Sequence, residues 1–214
     1  GSKILASSTS GSAIRGGSFN CISGSSTLLL KDNFNNKITK ISIADFYSNT
    51  SKEMNTYQYE YGDDKHQIQK MVLFSDEEST LSNIRQRTDQ EAGRCMEQGN
   101  EVGRWEVYTS GGWKRFYGIS KSVNQKTLQI RTDNNSIKCT PDHKISTKNG
   151  FIPAKDVTLK SKIRTLDNQF CDVVEVKNSN NCDVYDLLHV EDVHSFYANE
   201  LEVSNCIFLD EFAH

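Results

Sequence analysis

Runs of alternating hydrophobic and polar residues, each short and bounded by turn residues, recur along the chain. Residues 37–43 alternate with a period of two, after an apolar run at 28–30 and a turn at 32–33. A period of two places successive side chains on opposite faces of a strand. Many short strands with turns at close intervals are typical of an all-β domain, and this is the fold class that we predict.

The later part of the chain carries the same pattern. We expect strands over six further runs: 105–108, 113–117, 127–131, 136–140, 169–177 and 182–190. Turn residues separate several of these runs: Gly111-Gly112, Asp133-Asn134-Asn135 and Lys148-Asn149-Gly150. A single helical turn is expected at 43–47, because the polar run 48–51 should end it there.

Residues 52–103 interrupt the strand pattern. Five apolar residues in this range lie near one face of a helix that begins at about Asp76: Leu81, Ile84, Ala92, Cys95 and Met96. Acidic residues at the start of that helix suit its macrodipole. We interpret 52–103 as a small, partly helical insertion in the β domain. A solvated excursion is the favoured interpretation, and a regulatory or partner-binding subdomain is the alternative.

Charge and hydropathy exclude several classes of protein. The net charge of −3 provides no basic surface for nucleic acid. No apolar run approaches the roughly 20 residues that span a bilayer, and the N-terminus lacks a signal-peptide core. We therefore expect a soluble, cytoplasmic protein that binds neither nucleic acid nor membrane. The small, polar residues at 3–20 are expected to form a loop.

Six cysteines are present, and we weigh two structural uses for them. A disulfide framework is weakly supported in a cytoplasmic chain of this size. Cys139 and His143 have a spacing that some zinc sites use, but no second ligand pair accompanies them. We expect no metal and no cofactor. Cys21 and Cys206 are better interpreted as nucleophiles.

Four sequence blocks place these two cysteines in a recognisable order. The blocks begin at Cys21, at Thr140-Pro141-Asp142-His143, at Val184-Tyr185-Asp186-Leu187 and at His194-Ser195-Phe196, and the last of them leads to Val203-Ser204-Asn205-Cys206. Their order and spacing resemble those of inteins, which excise themselves from a host polypeptide. The resemblance covers residues 21–205. It implies a horseshoe-shaped HINT (Hedgehog/intein) fold that acts as a monomer on its own flanking segments, once per molecule.

The resemblance also implies a role for residues at the first junction. Cys21 would attack the carbonyl of Asn20 and exchange an amide for a thioester. His143 would protonate the nitrogen that leaves, and Thr140 would distort or polarise that peptide bond.

At the second junction the resemblance implies acyl transfer and release. Cys206 would take the acyl chain from Cys21, with Asp186 coordinating the two nucleophiles. The side chain of Asn205 would then attack its own backbone carbonyl, form a succinimide and release the intein, assisted by His194. The thioester that joins Asn20 to Cys206 would rearrange to an amide.

The chain departs from the family's pattern at two points. The run 186–194 is one residue longer than usual, so that either a β-bulge absorbs the extra residue or the carboxylate role shifts. Ser204 stands where the family usually has histidine. A hydroxyl does not take up and release a proton near neutral pH as an imidazole does. Cyclisation of Asn205 should therefore be slow, or should depend on His194 or His189.

The flanks, residues 1–20 and 206–214, indicate a host protein. Residues 206–214 have the apolar-strand-then-Asp-Glu form of a Walker B motif, and with 10–20 they resemble the ATPase domain of a phage terminase large subunit. We take Gly1-Ser2 as a cloning remnant and expect the cytoplasm of a phage-infected bacterium as the location. A fragment of a DNA-packaging ATPase is an alternative, although the chain has no Gly-x-x-x-x-Gly-Lys-Ser/Thr phosphate loop.

Three other activities fit the sequence less well. A thiol protease that uses Cys21 and His143 would leave Asn205 and Cys206 unexplained. Hedgehog-type autocleaving domains share the fold and the first cysteine but lack a ligation partner downstream. A homing endonuclease domain does not fit in the 40 residues between His143 and Val184, nor in an insertion without a basic surface or an acidic metal motif.

Overall fold

The computed structural model describes residues 3–4, 20–61, 67–74 and 103–205. In these ranges the chain forms one α-helix, α1 (Ile43–Glu53), one 3-10 helix (Ala154–Asp156) and sixteen strands: β1 (Lys3–Ile4), β2 (Ile22–Ser23), β3 (Thr27–Asp32), β4 (Lys37–Ser42), β5 (Asn55–Tyr61), β6 (Gln67–Leu73), β7 (Trp105–Thr109), β8 (Gly112–Arg115), β9 (Gly118–Thr132), β10 (Ser136–Cys139), β11 (Lys144–Thr147), β12 (Gly150–Pro153), β13 (Lys162–Arg164), β14 (Phe170–Leu188), β15 (Ser195–Ala198) and β16 (Leu201–Ser204). Neither helix of these ranges is long and apolar enough to cross a bilayer.

The strands form two sheets. The larger has the order β1-β5-β6-β9-β10-β2-β14-β13-β11-β16-β15, with β12 beside β11, and the smaller has the order β4-β3-β7-β8. Alternate residues of β3 are buried, as a period of two predicts. The predicted all-β class is confirmed. Within 3–20, which we expected to form a loop, Lys3–Ile4 is a strand that pairs with β5.

Two long antiparallel strands, β9 and β14, hold the larger sheet together. Their pairing extends from Val173 opposite Thr132 to Leu188 opposite Gly118, with register shifts at three places along β14. An extra residue on one strand bends the ladder and increases its twist. The prediction of separate strands at 169–177 and 182–190 is wrong, because β14 continues through the polar residues between them.

Helix α1 is longer than the single turn that the sequence predicts. Ser42 caps it, since its side chain accepts a hydrogen bond from the Asp45 N–H at 3.1 Å. The Thr50 hydroxyl is buried and donates to the Phe46 carbonyl at 2.9 Å. The hydroxyl residues at 48–51 were expected to end the helix, but they bond back to its preceding turn instead.

Much of the first part of the predicted insertion is β-structure. Strands β5 and β6 pair with each other, and β6 pairs with β9, with Val72 opposite Ile119. Residues 71–74 are buried, so they belong to the core. The expectation that the strand pattern stops at 52 is therefore wrong for Asn55–Tyr61 and Gln67–Leu73. The helix expected from about Asp76 lies outside the described residues, and the bounds 52–103 remain a prediction.

The ring of Phe46 connects α1 to both sheets. It lies 6.4 Å from the ring of Phe74, which follows β6, and 5.1 Å from the ring of Trp105 in β7, measured between centroids. A third edge-to-face contact, at 5.9 Å, joins it to Phe116. Edge-to-face aromatic pairs add to the stabilisation that burial provides. Phe46 thus fixes the position of the smaller sheet against the larger one.

Candidate active site

Strand β2 is only two residues long, yet it lies in the middle of the larger sheet between β10 and β14. Ile22 pairs with Cys139 on one side and with Tyr185 on the other, both antiparallel. Continuing these registers by one residue brings Cys21 level with Thr140 and with Asp186. Three of the predicted site residues therefore lie side by side across three neighbouring strands.

Thr140 holds the peptide groups on both sides of the Cys21 α-carbon. The Cys21 N–H donates to Thr140 Oγ1 at 3.1 Å, and the Thr140 hydroxyl lies 3.3 Å from the Cys21 carbonyl oxygen, to which it donates. The Thr140 N–H donates to the same carbonyl at 2.9 Å. Both residues are buried, so these bonds are shielded from water. The nitrogen between Asn20 and Cys21 is thus in direct contact with the threonine hydroxyl.

His143 is fully buried beside the same peptide bond. Burial lowers the pKa of its imidazole to about 4, and a contact with the backbone of Asn20 opposes this shift. That contact is weaker than a full hydrogen bond, since neither ring nitrogen has a partner of normal geometry within the described part of the chain. The imidazole is therefore neutral near pH 7 and lies at the Asn20–Cys21 junction.

The turn that carries His143 is fixed by backbone hydrogen bonds. The His143 N–H donates to the Thr140 carbonyl at 3.1 Å, and its own carbonyl accepts from the Ala154 N–H at 2.8 Å. The Lys155 N–H donates to the Pro141 carbonyl at 2.8 Å, so the 3-10 helix packs directly against this turn. These bonds fix the orientation of Thr140 and His143 relative to each other.

The second junction reaches the same place through the hairpin of β15 and β16. Ser195 pairs with Ser204, and the Asn205 N–H donates to the His194 carbonyl at 3.0 Å. On its other edge β16 pairs with β11, with Val203 opposite Ile145. Continuing that antiparallel register by two residues brings Asn205 level with His143. Asn205 is buried, and it lies between the two chain segments that carry the predicted histidines.

Asp186 is buried, and its Oδ1 accepts the Leu187 N–H at 2.9 Å. The register from Asp186 opposite Ser120 to Leu188 opposite Gly118 is continuous, so no bulge lies here. The rest of the run 186–194 follows β14 and has left-handed backbone at His189, Asp192 and His194. Asp186 is level with Cys21 in this register, and how the extra residue is accommodated stays a prediction.

The sequence did not single out several residues around this site. The Tyr117 hydroxyl donates to Glu191 at 3.1 Å, and the Tyr117 ring lies 5.5 Å from that of His189. The Ser195 hydroxyl donates to the buried carboxylate of Glu202 at 3.0 Å. Their spacing carries no motif. Only the two histidines in the segment 189–194, noted beside the Ser204 departure, pointed to this region.

Two of the other cysteines, Cys139 and Cys171, are poorly suited to act as nucleophiles. Burial raises the pKa of the Cys139 thiol to about 12, and it also raises the pKa of Cys171. Cys139, Cys171 and Cys182 are free thiols. The described residues do not include 5–19 or the flank 206–214. The assignment of Cys206 as the second nucleophile therefore stays a prediction.

The sequence matches no protein-family model and no curated protein. Solved structures with a similar fold include a transcription factor IIB Mvu mini-intein, with a TM-score of 0.60 and 13% identity over 87% of this chain and 100% of the other. The TvoVMA intein has a TM-score of 0.59 and 17% identity over 87% of this chain and 98% of the other. A DnaB intein from Synechocystis sp. PCC 6803 has a TM-score of 0.51 and 16% identity over 87% of this chain and 99% of the other. The chain therefore has the HINT fold of inteins, and the fold that the sequence predicts is confirmed.

Proposed function

We propose that this chain is a self-splicing intein that excises residues 21–205 and joins Asn20 to Cys206. One observation carries the proposal: the fold brings residues separated by about 180 positions to a single buried histidine. His143 contacts the backbone of Asn20, and the register of β11 with β16 leads Asn205 to the same level. A reaction that connects two distant peptide bonds requires this proximity.

The first step is an acyl shift from nitrogen to sulfur at Cys21. A bond forms between the Cys21 sulfur and the Asn20 carbonyl carbon, and the bond from that carbon to the Cys21 nitrogen breaks. The sulfur loses a proton and the nitrogen gains one. His143 is neutral near pH 7, so its imidazole can take the first proton and return it to the nitrogen. The Thr140 hydroxyl, 3.1 Å from that nitrogen, holds it in position.

The following steps transfer the acyl chain and release the intein. The thiol of Cys206 attacks the thioester, and the carboxylate of Asp186, level with Cys21, can accept its proton. Asn205 then cyclises and cleaves its bond to Cys206, with His194 adjacent through the backbone. The ligated thioester rearranges to an amide. Each molecule performs the sequence once.

The proposed setting is a phage terminase large subunit in the cytoplasm of an infected bacterium. It is supported by the Walker B-like sequence at 206–214 and by the flank 10–20. The chain's own flanks are its substrate, and it acts as a monomer without a cofactor.

The proposal is tested by mass spectrometry of the purified precursor over time. We expect the excised segment 21–205 together with a flank product that joins Asn20 to Cys206. Cys21→Ala should abolish the ligated product and thiol-induced release of the N-terminal flank, because the first thioester cannot form. Cys182→Ser, a matched change at a half-buried thiol distant in sequence from the junctions, should splice normally.

Two results would contradict the proposal. Ligated product in the Cys21→Ala variant would show that another residue is the first nucleophile. Separate flanks with no ligated product from the unmodified chain would indicate an autocleaving domain that does not splice.

A further inference from the structure

His189 lies in the segment between β14 and β15, five residues before His194. It follows the last residue of β14 and has a left-handed backbone, with a φ of 52°. Its ring makes an edge-to-face contact with the ring of His194, with centroids 5.6 Å apart and an interplanar angle of 66°. Because the His194 carbonyl accepts the Asn205 N–H, His189 contacts the residue that holds Asn205.

His189 also contacts a second ring, which is fixed in place by hydrogen bonds. The ring of Tyr117 lies 5.5 Å from that of His189, and the Tyr117 hydroxyl donates to Glu191 at 3.1 Å. Backbone bonds fix both ends, since the Tyr117 N–H donates to the Leu188 carbonyl at 2.8 Å and the Glu191 N–H donates to the Arg115 carbonyl at 3.0 Å. His189 therefore contacts two rings, that of His194 and that of Tyr117, whose hydroxyl is bonded to Glu191.

We propose that His189 is a positioning residue for cleavage after Asn205, and that it acts through the imidazole of His194. This inference rests on the proposed function. In that step the side-chain nitrogen of Asn205 bonds to the Asn205 carbonyl carbon, and the bond from that carbon to the Cys206 nitrogen breaks. The attacking amide loses one proton and the departing nitrogen gains one. Ser204, the residue before Asn205, has no group that exchanges protons near neutral pH.

The contact between the two rings suits this proton exchange. The edge-to-face contact with His189 restricts the orientation of the His194 ring. Tyr117, whose hydroxyl donates to Glu191, contacts His189 in turn. The His194 imidazole can then donate a proton to the departing nitrogen from a fixed orientation.

The test isolates the second junction in a Cys21→Ala background, where no thioester forms and cleavage after Asn205 is read alone by gel and mass spectrometry. His189→Asn removes the imidazole but keeps a residue that tolerates the left-handed backbone. We expect the rate of cleavage after Asn205 to fall about tenfold or more. Asp192→Asn is the matched control, because Asp192 lies in the same segment with a φ of 63° and pairs with Lys114 at 2.7 Å. Its rate should stay within about twofold of the parent.

A structural role for His189 is separated from proton exchange by chemical rescue. His189→Gly also tolerates the left-handed backbone and leaves space for a free imidazole. Added imidazole should restore most of the lost rate in this variant and leave the parent unchanged. In addition, Ser204→His should reduce the effect of His189→Asn, since it supplies another imidazole next to Asn205.

The outcomes distinguish this inference from the proposed function. An unchanged rate in His189→Asn would overturn the role of His189 while splicing stands. A slow variant that imidazole and Ser204→His both fail to improve would assign His189 to the scaffold alone, which also overturns the inference. If the Cys21→Ala parent does not cleave after Asn205, the rate of release is compared in chains with Cys21 intact, where an equal rate in His189→Asn overturns the inference. Absence of ligated product from the unmodified chain contradicts the proposed function instead. Thiol-induced cleavage at Asn20 in His189→Asn with Cys21 intact confirms that this variant is folded.

Discussion

His143 shows how strongly the fold alters a single residue. A histidine in water has a pKa near 6.5, but burial lowers the pKa of His143 to about 4. In the proposed first step the residue therefore acts as a neutral base. There it would gain a charge only when it takes up the proton of the Cys21 thiol.

This lowered pKa makes the stability of the fold depend on pH. The unfolded chain takes up a proton at His143 as the pH falls below about 6.5, whereas the folded chain does not until about 4. The stability that His143 contributes is therefore complete above pH 6.5 and is lost as the pH falls towards 4. A shift of this size corresponds to about 3 kcal/mol in the free energy of unfolding. Urea denaturation at pH 7 and pH 4.5 measures it.

The measurement needs a chain that does not splice and a second such chain in which His143 is replaced. The double variant Cys21→Ala, Asn205→Ala provides the first, and His143→Gln in that background provides the second. The difference in unfolding free energy between pH 7 and pH 4.5 should be larger by about 2 to 3 kcal/mol when His143 is present. Equal losses of unfolding free energy in both chains would mean that His143 takes up its proton at the same pH in the folded and the unfolded chain, which contradicts the prediction.

Among elements, the hairpin of β15 and β16 shows how the second junction is held in place. Its turn residues Asn199 and Glu200 both have positive φ, 48° and 67°, as a tight hairpin turn requires. The Asn199 Oδ1 accepts the Thr27 N–H at 2.8 Å, and the Asn199 Nδ2 donates to the Ser136 carbonyl at 2.8 Å. The strand that leads to Asn205 is therefore tied to β3 and β10.

We expect Asn199→Gly to reduce the free energy of unfolding by about 1 to 3 kcal/mol. Glycine keeps the left-handed backbone, so the loss reports the hydrogen bonds from Thr27 and to Ser136. Glu200→Asn is the matched control at the neighbouring turn position, where only exposed interactions with Lys40 and Asn135 are removed, and it should change stability by about 0.5 kcal/mol or less. Thermal and urea unfolding of splicing-inactive chains provide the comparison. Similar losses in both variants would show that the Asn199 side chain adds nothing beyond turn geometry.

The elements that the sequence predicts well are those formed by neighbouring segments. Strands β3 and β4, and likewise β7 and β8, are hairpins whose turns and period of two are both local. Strands β5 and β6 also pair locally, and the sequence did not predict them. The second partner of β6, β9, lies about 50 residues away, and no local pattern indicates that pairing. The same distinction applies to the site. Motifs identified Cys21, His143 and Asn205, but the registers that bring them together join distant strands. Strand β2 pairs with β10 and β14, more than 100 residues away, and β11 pairs with β16, where Ile145 lies opposite Val203.

At the scale of the whole molecule, Phe46 lies next to both borders of the residues 75–102. Its ring contacts Phe74 on one side and Trp105 on the other, so the two ends of this range are close together. We expect replacement of 75–102 by about eight Gly/Ser residues to preserve folding, because such a linker spans roughly 15 Å. Replacement of all of 52–103 should prevent folding, since it removes β6 and its buried residues 71–74.

Both variants are compared by thermal unfolding and by splicing. The shorter replacement should retain a cooperative transition and ligated product. If it folds but does not splice, residues 75–102 contribute to the reaction, as the alternative of a regulatory or partner-binding subdomain would require. If the longer replacement folds as well as the unmodified chain, β6 is not an essential part of the core.

The central position of β2 also has a consequence for when the proposed reaction can begin during synthesis of the chain. Cys21 leaves the ribosome early, but the strands that flank β2 are encoded at 136–139 and 170–188, and Asn205 comes later still. Pairings of such long range form slowly and only after the distant segments have emerged. Until then the bond before Cys21 is an ordinary peptide bond without Thr140 or His143 beside it. In the proposed reaction, the first step therefore waits until the chain has been synthesised through β14 and has folded, and a chain that ends before residue 136 should remain uncut.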